Sequence, residues 1–216
     1  MKNELALRKQ VIATALEMNA LRLNRGKSGN VSARIDNGFL VTPTGLAYES
    51  TQPGDVVAMK QDGTAHGARL PSSEWRFHRD IYTARREVGA IVHAHSPFAT
   101  SIACLGRDIP PFHYMIAVAG GKDIRCAAYA TFGTQQLSDH ALRALEGRKA
   151  CLLANHGMIA VGTSLSAALA LAVEVEALAE QYWRALQIGT PNLLSDAEME
   201  VVLEKFRTYG QPDAER

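Results

Sequence analysis

Cysteine is scarce in this chain, and its scarcity removes one class of scaffold at the outset. The 216 residues hold three, Cys104, Cys126 and Cys151, with no Cys-x-x-Cys spacing. That argues against a disulfide framework, suits a reducing cytoplasm and leaves all three expected as small core residues. An excess of charge of one sign is also missing. Lys and Arg total 23 against 22 for Asp and Glu, with no block of either, so neither nucleic acid nor a membrane surface is indicated as a partner. The longest low-polarity stretch, 165–179, is interrupted by Glu174 and Glu176 and is too short to span a bilayer. The first nine residues carry charges where a secretory signal needs its apolar stretch, so a soluble cytoplasmic protein is expected. No internal repeat or low-complexity linker divides the chain, and 47% hydrophobic content over this length can bury the core of one domain, 1–216.

Apolar periodicity organises what is there. Leu5, Val11, Ile12, Ala15, Leu16 and Met18 recur at helical spacing and predict an amphipathic helix over 5–23, stopped near Asn24-Arg25-Gly26. Runs at 31–35 and 38–42 flank Asp36-Asn37-Gly38, a hairpin signal, and strands at 56–59 and just before Gly63 extend an antiparallel sheet. Pro71-Ser72-Ser73-Glu74 opens a helix to about residue 86, with serines at the cap and an acid in the first turn. Then follow a strand at 90–95, a helix at 97–105, a strand-to-turn segment at 129–134 and a helix at 136–145. Strands at 150–154 and 158–161 pair around Asn155-His156-Gly157, and helices at 165–186 and 195–206 complete the chain, the last capped by Ser195. This is the pattern of an α/β chain: a single domain with a central, mostly antiparallel sheet covered by helices.

The chemistry-bearing feature is His93-Ala-His95, which closes the apolar run that begins at Val88. On a strand, residues i and i+2 face the same way, so two imidazoles there can reach one ion. His156 closes a second apolar run, Cys151-Leu-Leu-Ala-Asn. If the two runs lie side by side, three nitrogens converge and leave room for a carboxylate, water or substrate oxygen on a divalent metal such as zinc. A His-x-His pair alone is as readily a pair of loop-bonding histidines; the third histidine and Gly157, which permits close backbone approach, tip the balance to a metal site. Glu74 is a candidate fourth ligand, although an acid at that position also simply complements the helix dipole. His78, one turn on, is set aside because the three strand-end histidines already fill the nitrogen positions. Gly29-Asn30-Val31-Ser32, Thr42-Pro43-Thr44-Gly45 and Ser72-Ser73 are each ordinary turns by composition. Together, beside a carboxylate and a helix start, they read as a phosphate cradle.

These segments, with Pro71-Ser-Ser-Glu-Trp-Arg-Phe-His78, His113-Tyr-Met-Ile116, Tyr129-Ala-Thr-Phe-Gly133 and Lys205-Phe-Arg-Thr-Tyr-Gly210, resemble the class II aldolase/adducin family, in order and over nearly the whole chain. The resemblance implies Zn2+ (with Mn2+ or Co2+ as other possible occupants) held by His93, His95, His156 and Glu74, with Glu74 able to leave the metal and act as general acid/base. It implies that Asn30, Thr44, Gly45, Ser72 and Ser73 bind a sugar phosphate. It further implies a fourfold-symmetric homotetramer whose sites lie between subunits, with Tyr114, Phe132, Phe206 and Tyr209 supplied by a neighbour. The implied reaction is reversible retro-aldol cleavage of a ketose 1-phosphate of the L-fuculose 1-phosphate type, through an enediolate, to dihydroxyacetone phosphate and an aldehyde. Tyr114 would take the proton of the fourth-carbon hydroxyl, and Lys122 and Lys149 would be bystanders. Three other readings follow from the same resemblance. One is cleavage of 5-(methylthio)ribulose 1-phosphate or 5-deoxyribulose 1-phosphate in nucleoside and methionine salvage, suggested by Ala94, Ser96, Phe98 and Ala154 flanking the ligands. A pentulose phosphate 4-epimerase is disfavoured by the pairing of His113-Tyr114 with Tyr209. A metal-free, adducin-like binding module is disfavoured by the intact ligand set.

Overall fold

The computed structural model describes residues 2–208. Its elements in chain order are α1 (Lys2–Ala20), β1 (Asn30–Ile35), β2 (Gly38–Val41), β3 (Val57–Lys60), β4 (Ala65–His66), α2 (Trp75–Ala84), β5 (Ala90–Ala94) and α3 (Pro97–Ala103), then β6 (Cys126–Ala127), α4 (Gln135–Ala144), β7 (Ala150–Leu153), β8 (Gly157–Gly162), α5 (Leu165–Ile188) and α6 (Asp196–Arg207), with a 3-10 helix over Tyr114–Ala119. All eight strands join one sheet in the order β4-β3-β2-β1-β5-β8-β7-β6. Every neighbouring pair is antiparallel except β6 with β7, as the spacing of the hairpins predicts.

The pleat sorts each strand's residues onto two faces. Ala90, Val92 and Ala94 of β5 pack with α1, α3 and α5, while Ile91 packs with α2 and α4 on the other side. His93 shares the Ile91 face and meets the ring of Phe77 from α2 edge-on at 5.4 Å. Small residues let α5 lie close over its face: Ala168, Ala172 and Ala179 are fully buried beside Val175 and Leu178. Its N-terminus is closed by Ser164, whose side chain accepts from Ala167 N–H, and α6 is closed the same way by Ser195 on Glu198 N–H. Among the described residues no helix is long and apolar enough to cross a membrane.

Four local expectations are corrected. First, α1 stops at Ala20, earlier than its apolar pattern, because Arg22 takes a left-handed φ of 61° and Leu23 N–H turns back to Met18 O, closing the helix as a glycine usually does. The strand expected before Gly63 lies after it: Gly63 N–H bonds Lys60 O and Lys60 N–H bonds Thr64 O, so the glycine sits in the turn and β4 follows. No strand forms over 129–134, where the chain runs as a loop into Thr134, the cap of α4; the strand of this region is β6, upstream. Finally, of the cysteines only Cys151 is buried; Cys126 is half-buried and Cys104 is exposed at the end of α3.

The most consequential departure concerns strand order. The second apolar run does not lie beside the first, because β8 is inserted between β5 and β7. His156 instead occupies the tight β7–β8 turn, beside Asn155 at φ 56°. Two glycines make the approach possible. A Cβ on Gly157 would stand 2.5 Å from Ala94 O, and one on Gly29 would stand 2.6 Å from His93 O. Gly29→Ala is therefore expected to cost about 2 kcal/mol and lower the melting temperature of the metal-free protein by about 5 °C. A melting temperature within about 1 °C of the unaltered chain would show that this backbone gives more easily than its contacts indicate.

Candidate metal centre

One strand, one turn and one helix start deliver the donors. His93 is the penultimate residue of β5, His95 follows the strand's end, His156 comes from the β7–β8 turn, and Glu74 precedes the first residue of α2. The three imidazoles form a near-equilateral triangle, with centroids 5.0, 4.8 and 4.9 Å apart and planes inclined at 75°, 74° and 72°. Their Nε2 atoms and the Glu74 carboxylate converge, one ligand atom from each lying within 4.8 Å of all the others. His93 Nε2 is 3.1 Å from His95 Nε2 and 3.1 Å from Glu74 Oε2, and His156 Nε2 is 3.1 Å from Glu74 Oε1. Tetrahedral zinc with bonds of about 2.0–2.1 Å sets its ligand atoms about 3.3 Å apart.

Backbone contacts orient the rings. His93 Nδ1 donates to Met158 O at 2.8 Å, which in the neutral ring leaves Nε2 as a bare lone pair aimed into the cluster. The segment before β1 is tied to the same place: Asn24 Oδ1 accepts from His95 N–H at 3.2 Å, and Tyr48 OH donates to Gly29 O. Glu74 occupies the cap position of α2 with φ −101° and ψ 15° and caps nothing. Its carboxylate is turned to the histidines instead, and Ser72 Oγ accepts its N–H at 3.3 Å, so the serines do not cap the helix as predicted.

Electrostatics favour a cation. Burial works against the charge on Glu74, which is 5% exposed, yet the positive fields and N–H groups of His93 and His156 outweigh it and hold the carboxyl well below the usual range. Burial, and then the neighbouring His93 and His156, push His95 down to about 4. Burial opposes charge on His93 too, but the Glu74 carboxylate pulls its pKa up. The carboxylate thus favours positive charge at the place a cation would occupy, and a cation there would compete with protonation of the ring. Glu74 Oε1 is buried and, apart from its 3.1 Å approach to His156 Nε2, has no hydrogen bond among the described residues. A buried carboxylate oxygen whose one polar neighbour belongs to the cluster, beside three imidazole nitrogens, fits a borderline divalent cation by both distance and donor type.

The centre lines a cleft of about 250 Å3 formed by Ser28, Ser73, Glu74, His95, Tyr129, Ala130, Phe132, Asn155 and His156. Of these, sequence reasoning missed Ser28, Tyr129, Ala130 and Asn155 as site residues. Phe132, expected from a neighbouring subunit, lines the cleft of its own chain. Ala94, Ser96, Phe98 and Ala154 do not line it: Ala94 and Ser96 are buried, and Phe98 packs on Trp183. Tyr114 is half exposed and stacks on His113 and Phe206, away from the cleft; Tyr209 lies outside the described residues. Lys122 pairs with Asp196, and Lys149 lines a different groove.

The loops carrying Asn30, Thr44, Gly45, Ser72 and Ser73 are held together as one body. Thr44 N–H bonds Leu70 O at 3.1 Å and Ser72 N–H bonds Thr42 O at 3.0 Å, while Lys27 Nζ donates to Gly45 O at 2.8 Å. The Asn30 amide is directed at Glu74, with Nδ2 donating to Oε2 at 2.9 Å. His78 is fully buried behind Asn30 and outside the ligand cluster.

A buried carboxylate and three convergent imidazoles at the mouth of a cleft, carried on a helix-covered antiparallel sheet, form a donor set that could hold a metal ion. Residues 9–183 match the family model described as Class II Aldolase and Adducin N-terminal domain. The 5-methylthioribulose-1-phosphate/5-deoxyribulose-1-phosphate aldolase of Rhodospirillum rubrum is 59% identical over 208 residues, 96% of this chain and 94% of that protein. The L-fuculose phosphate aldolase of Escherichia coli K12 is 50% identical over 210 residues, 97% of each chain. A solved L-fuculose 1-phosphate aldolase superimposes with a TM-score of 0.90 at 41% identity, covering 93% of this chain and 95% of its own. The chain belongs to the class II aldolase and adducin family and is an aldolase, a carbon–carbon lyase.

His95→Ala removes one of three nitrogens and is expected to lower divalent-metal affinity at least about 100-fold. Metal analysis after dialysis checks this, and stoichiometric retention would remove His95 from the ligand set.

Proposed function

We propose that this enzyme, as a zinc-dependent homotetramer, reversibly cleaves 5-(methylthio)ribulose 1-phosphate or 5-deoxyribulose 1-phosphate to dihydroxyacetone phosphate and a thioether or deoxy aldehyde. This replaces L-fuculose 1-phosphate as the favoured substrate. The observation that carries the reading is the identity gap: 59% to the methylthioribulose-phosphate enzyme against 50% to the fuculose-phosphate enzyme, over nearly the same length. Tyr129, Ala130 and Phe132 give the cleft an apolar wall, which suits an aldehyde without the extra hydroxyl that lactaldehyde carries.

The residue roles follow from the groups each leaves unengaged. The Gly45 N–H and the Thr44 and Ser73 hydroxyls make no hydrogen bond among the described residues, Ser72 accepts one and keeps its own O–H, and Asn30 Nδ2 retains its second hydrogen. These donors bind the phosphate dianion. A divalent cation at Glu74, His93, His95 and His156 supplies Lewis-acid stabilisation of the negative charge left when the bond between the third and fourth carbons breaks. The bonding pair stays with the dihydroxyacetone phosphate fragment, and Glu74, once it leaves the cation and takes up a proton from solvent, passes that proton to the third carbon. The proton of the fourth-carbon hydroxyl leaves as the aldehyde forms, taken up by the Tyr114 hydroxyl of a neighbouring subunit as that hydroxyl passes its own proton to solvent. Phe206 and Tyr209, also contributed by a neighbour, close the aldehyde side.

Substrate choice is tested by dihydroxyacetone phosphate release. The expected kcat/KM for the methylthio or deoxy pentulose phosphate exceeds that for L-fuculose 1-phosphate by roughly 10- to 100-fold; parity, or the reverse order, returns the assignment to fuculose. Glu74→Gln is expected to lose about 100-fold or more in turnover while the histidines retain some zinc. Deuterium exchange from solvent into dihydroxyacetone phosphate at the unaltered rate would exclude Glu74 as the proton carrier.

A further inference from the structure

Behind Glu74 runs a line of buried polar side chains of which the proposed reaction itself uses only Asn30. Asn30 and Ser32 are i and i+2 on β1, and His78 and Tyr82 are i and i+4 on α2, so the two periodicities interleave. Glu74 Oε2 accepts from Asn30 Nδ2 at 2.9 Å, Asn30 Oδ1 meets His78 Nε2 at 2.6 Å, His78 Nδ1 meets Ser32 Oγ at 2.7 Å, and Ser32 Oγ meets Tyr82 OH at 2.8 Å. Asn30 is 3% exposed, Ser32 and His78 0%, and Tyr82 1%.

The direction of every bond follows from one end. A carboxylate only accepts, so Asn30 must present its NH2 to Glu74 and its carbonyl to His78. That carbonyl requires a proton on His78 Nε2. Burial, aided by His93, pushes the His78 pKa down to about 3, so near neutral pH the ring carries one proton and Nδ1 is bare. Nδ1 therefore accepts the Ser32 hydroxyl hydrogen, and Ser32 Oγ accepts from Tyr82 OH. The ring is confined by Phe77, with centroids 4.6 Å apart, and by Phe39 at 6.3 Å.

We propose that His78 is a positioning residue. Backed by Ser32 and Tyr82, its Nε2–H holds the Asn30 amide in the one orientation that donates to Glu74 Oε2, and thereby fixes where the acid/base carboxylate stands. Without that donor the Asn30 side chain is free to turn its carbonyl towards the carboxylate, and the tether becomes a repulsion. This rests on Glu74 being the proton carrier.

The test has two arms. In the metal-free wild-type protein with 15N-labelled histidine, NMR at pH 7 is expected to show His78 neutral with its proton on Nε2. A proton on Nδ1, or on both nitrogens, overturns the proposal. This arm needs neither substrate nor metal, so it stands apart from the aldolase reading, whose failure would appear as no dihydroxyacetone phosphate release by wild type from any pentulose or hexulose phosphate. In the second arm, zinc-loaded His78→Leu is expected to lose about tenfold or more in kcat, with KM and zinc content changed less than threefold. His78→Gln, whose amide N–H can take the place of Nε2–H, is expected to recover most of the loss. An unchanged kcat in His78→Leu, or His78→Gln as impaired as His78→Leu, overturns the proposal. If His78→Leu does not fold, the tautomer measurement and the kcat of His78→Gln decide.

Discussion

A carboxylate removed from water costs several kcal/mol unless it is paired and hydrogen-bonded, and the interior of this protein is arranged around meeting that cost for Glu74. Its helix gives up a side-chain cap there. Strand β1 spends an asparagine, β5 a histidine, and the β7–β8 turn a second histidine on the same two oxygens. Backbone packing is bent to the same end, since only glycine fits where the segment before β1 passes over His93 O and where β8 begins against Ala94 O. The two oxygens are left unequal: Oε2 is tethered by Asn30, whereas Oε1 among the described residues meets only His156 Nε2, a ring that is itself part of the cluster. One atom holds the group in place and the other is left for chemistry.

What the sequence discloses is what local periodicity can encode. His93-Ala-His95 at the end of an apolar run announces two rings on one face, and the serines before Glu74 announce a helix start near them; all three side chains meet as the spacing requires. The position of His156 was legible, but not the reason it arrives. Sheet order is a long-range property, and nothing within 150–161 says that β8 rather than β7 lies beside β5. The cleft wall is hidden from the sequence for the same reason. Residues adjacent to the ligands in sequence, such as Ala94 and Ser96, point into the core, while Tyr129, Ala130 and Phe132 reach the cleft from a loop with no periodicity to mark it.

His78 illustrates a different limit. It stands outside the cluster, and a count of nitrogens alone gives it no other role. The signal of its role lies in two patterns read together, Glu74, His78 and Tyr82 at intervals of four and Asn30 and Ser32 at an interval of two. Each is unremarkable alone. Their juxtaposition needs β1 and α2 to face one another, and that is supplied by packing against Phe39 and Phe77.

The order of the strands also bears on how the centre comes into being. Its ligands are drawn from residues 74, 93, 95 and 156, and the last arrives only when β8 has closed against β5 across more than sixty intervening residues. Loop-closure entropy must be met before that contact forms, so a nascent or unfolded chain offers a cation little beyond the neighbouring pair His93 and His95. Affinity for the ion is therefore an attribute of the finished sheet. An occupied centre certifies a correctly threaded chain, and binding draws the population toward that state.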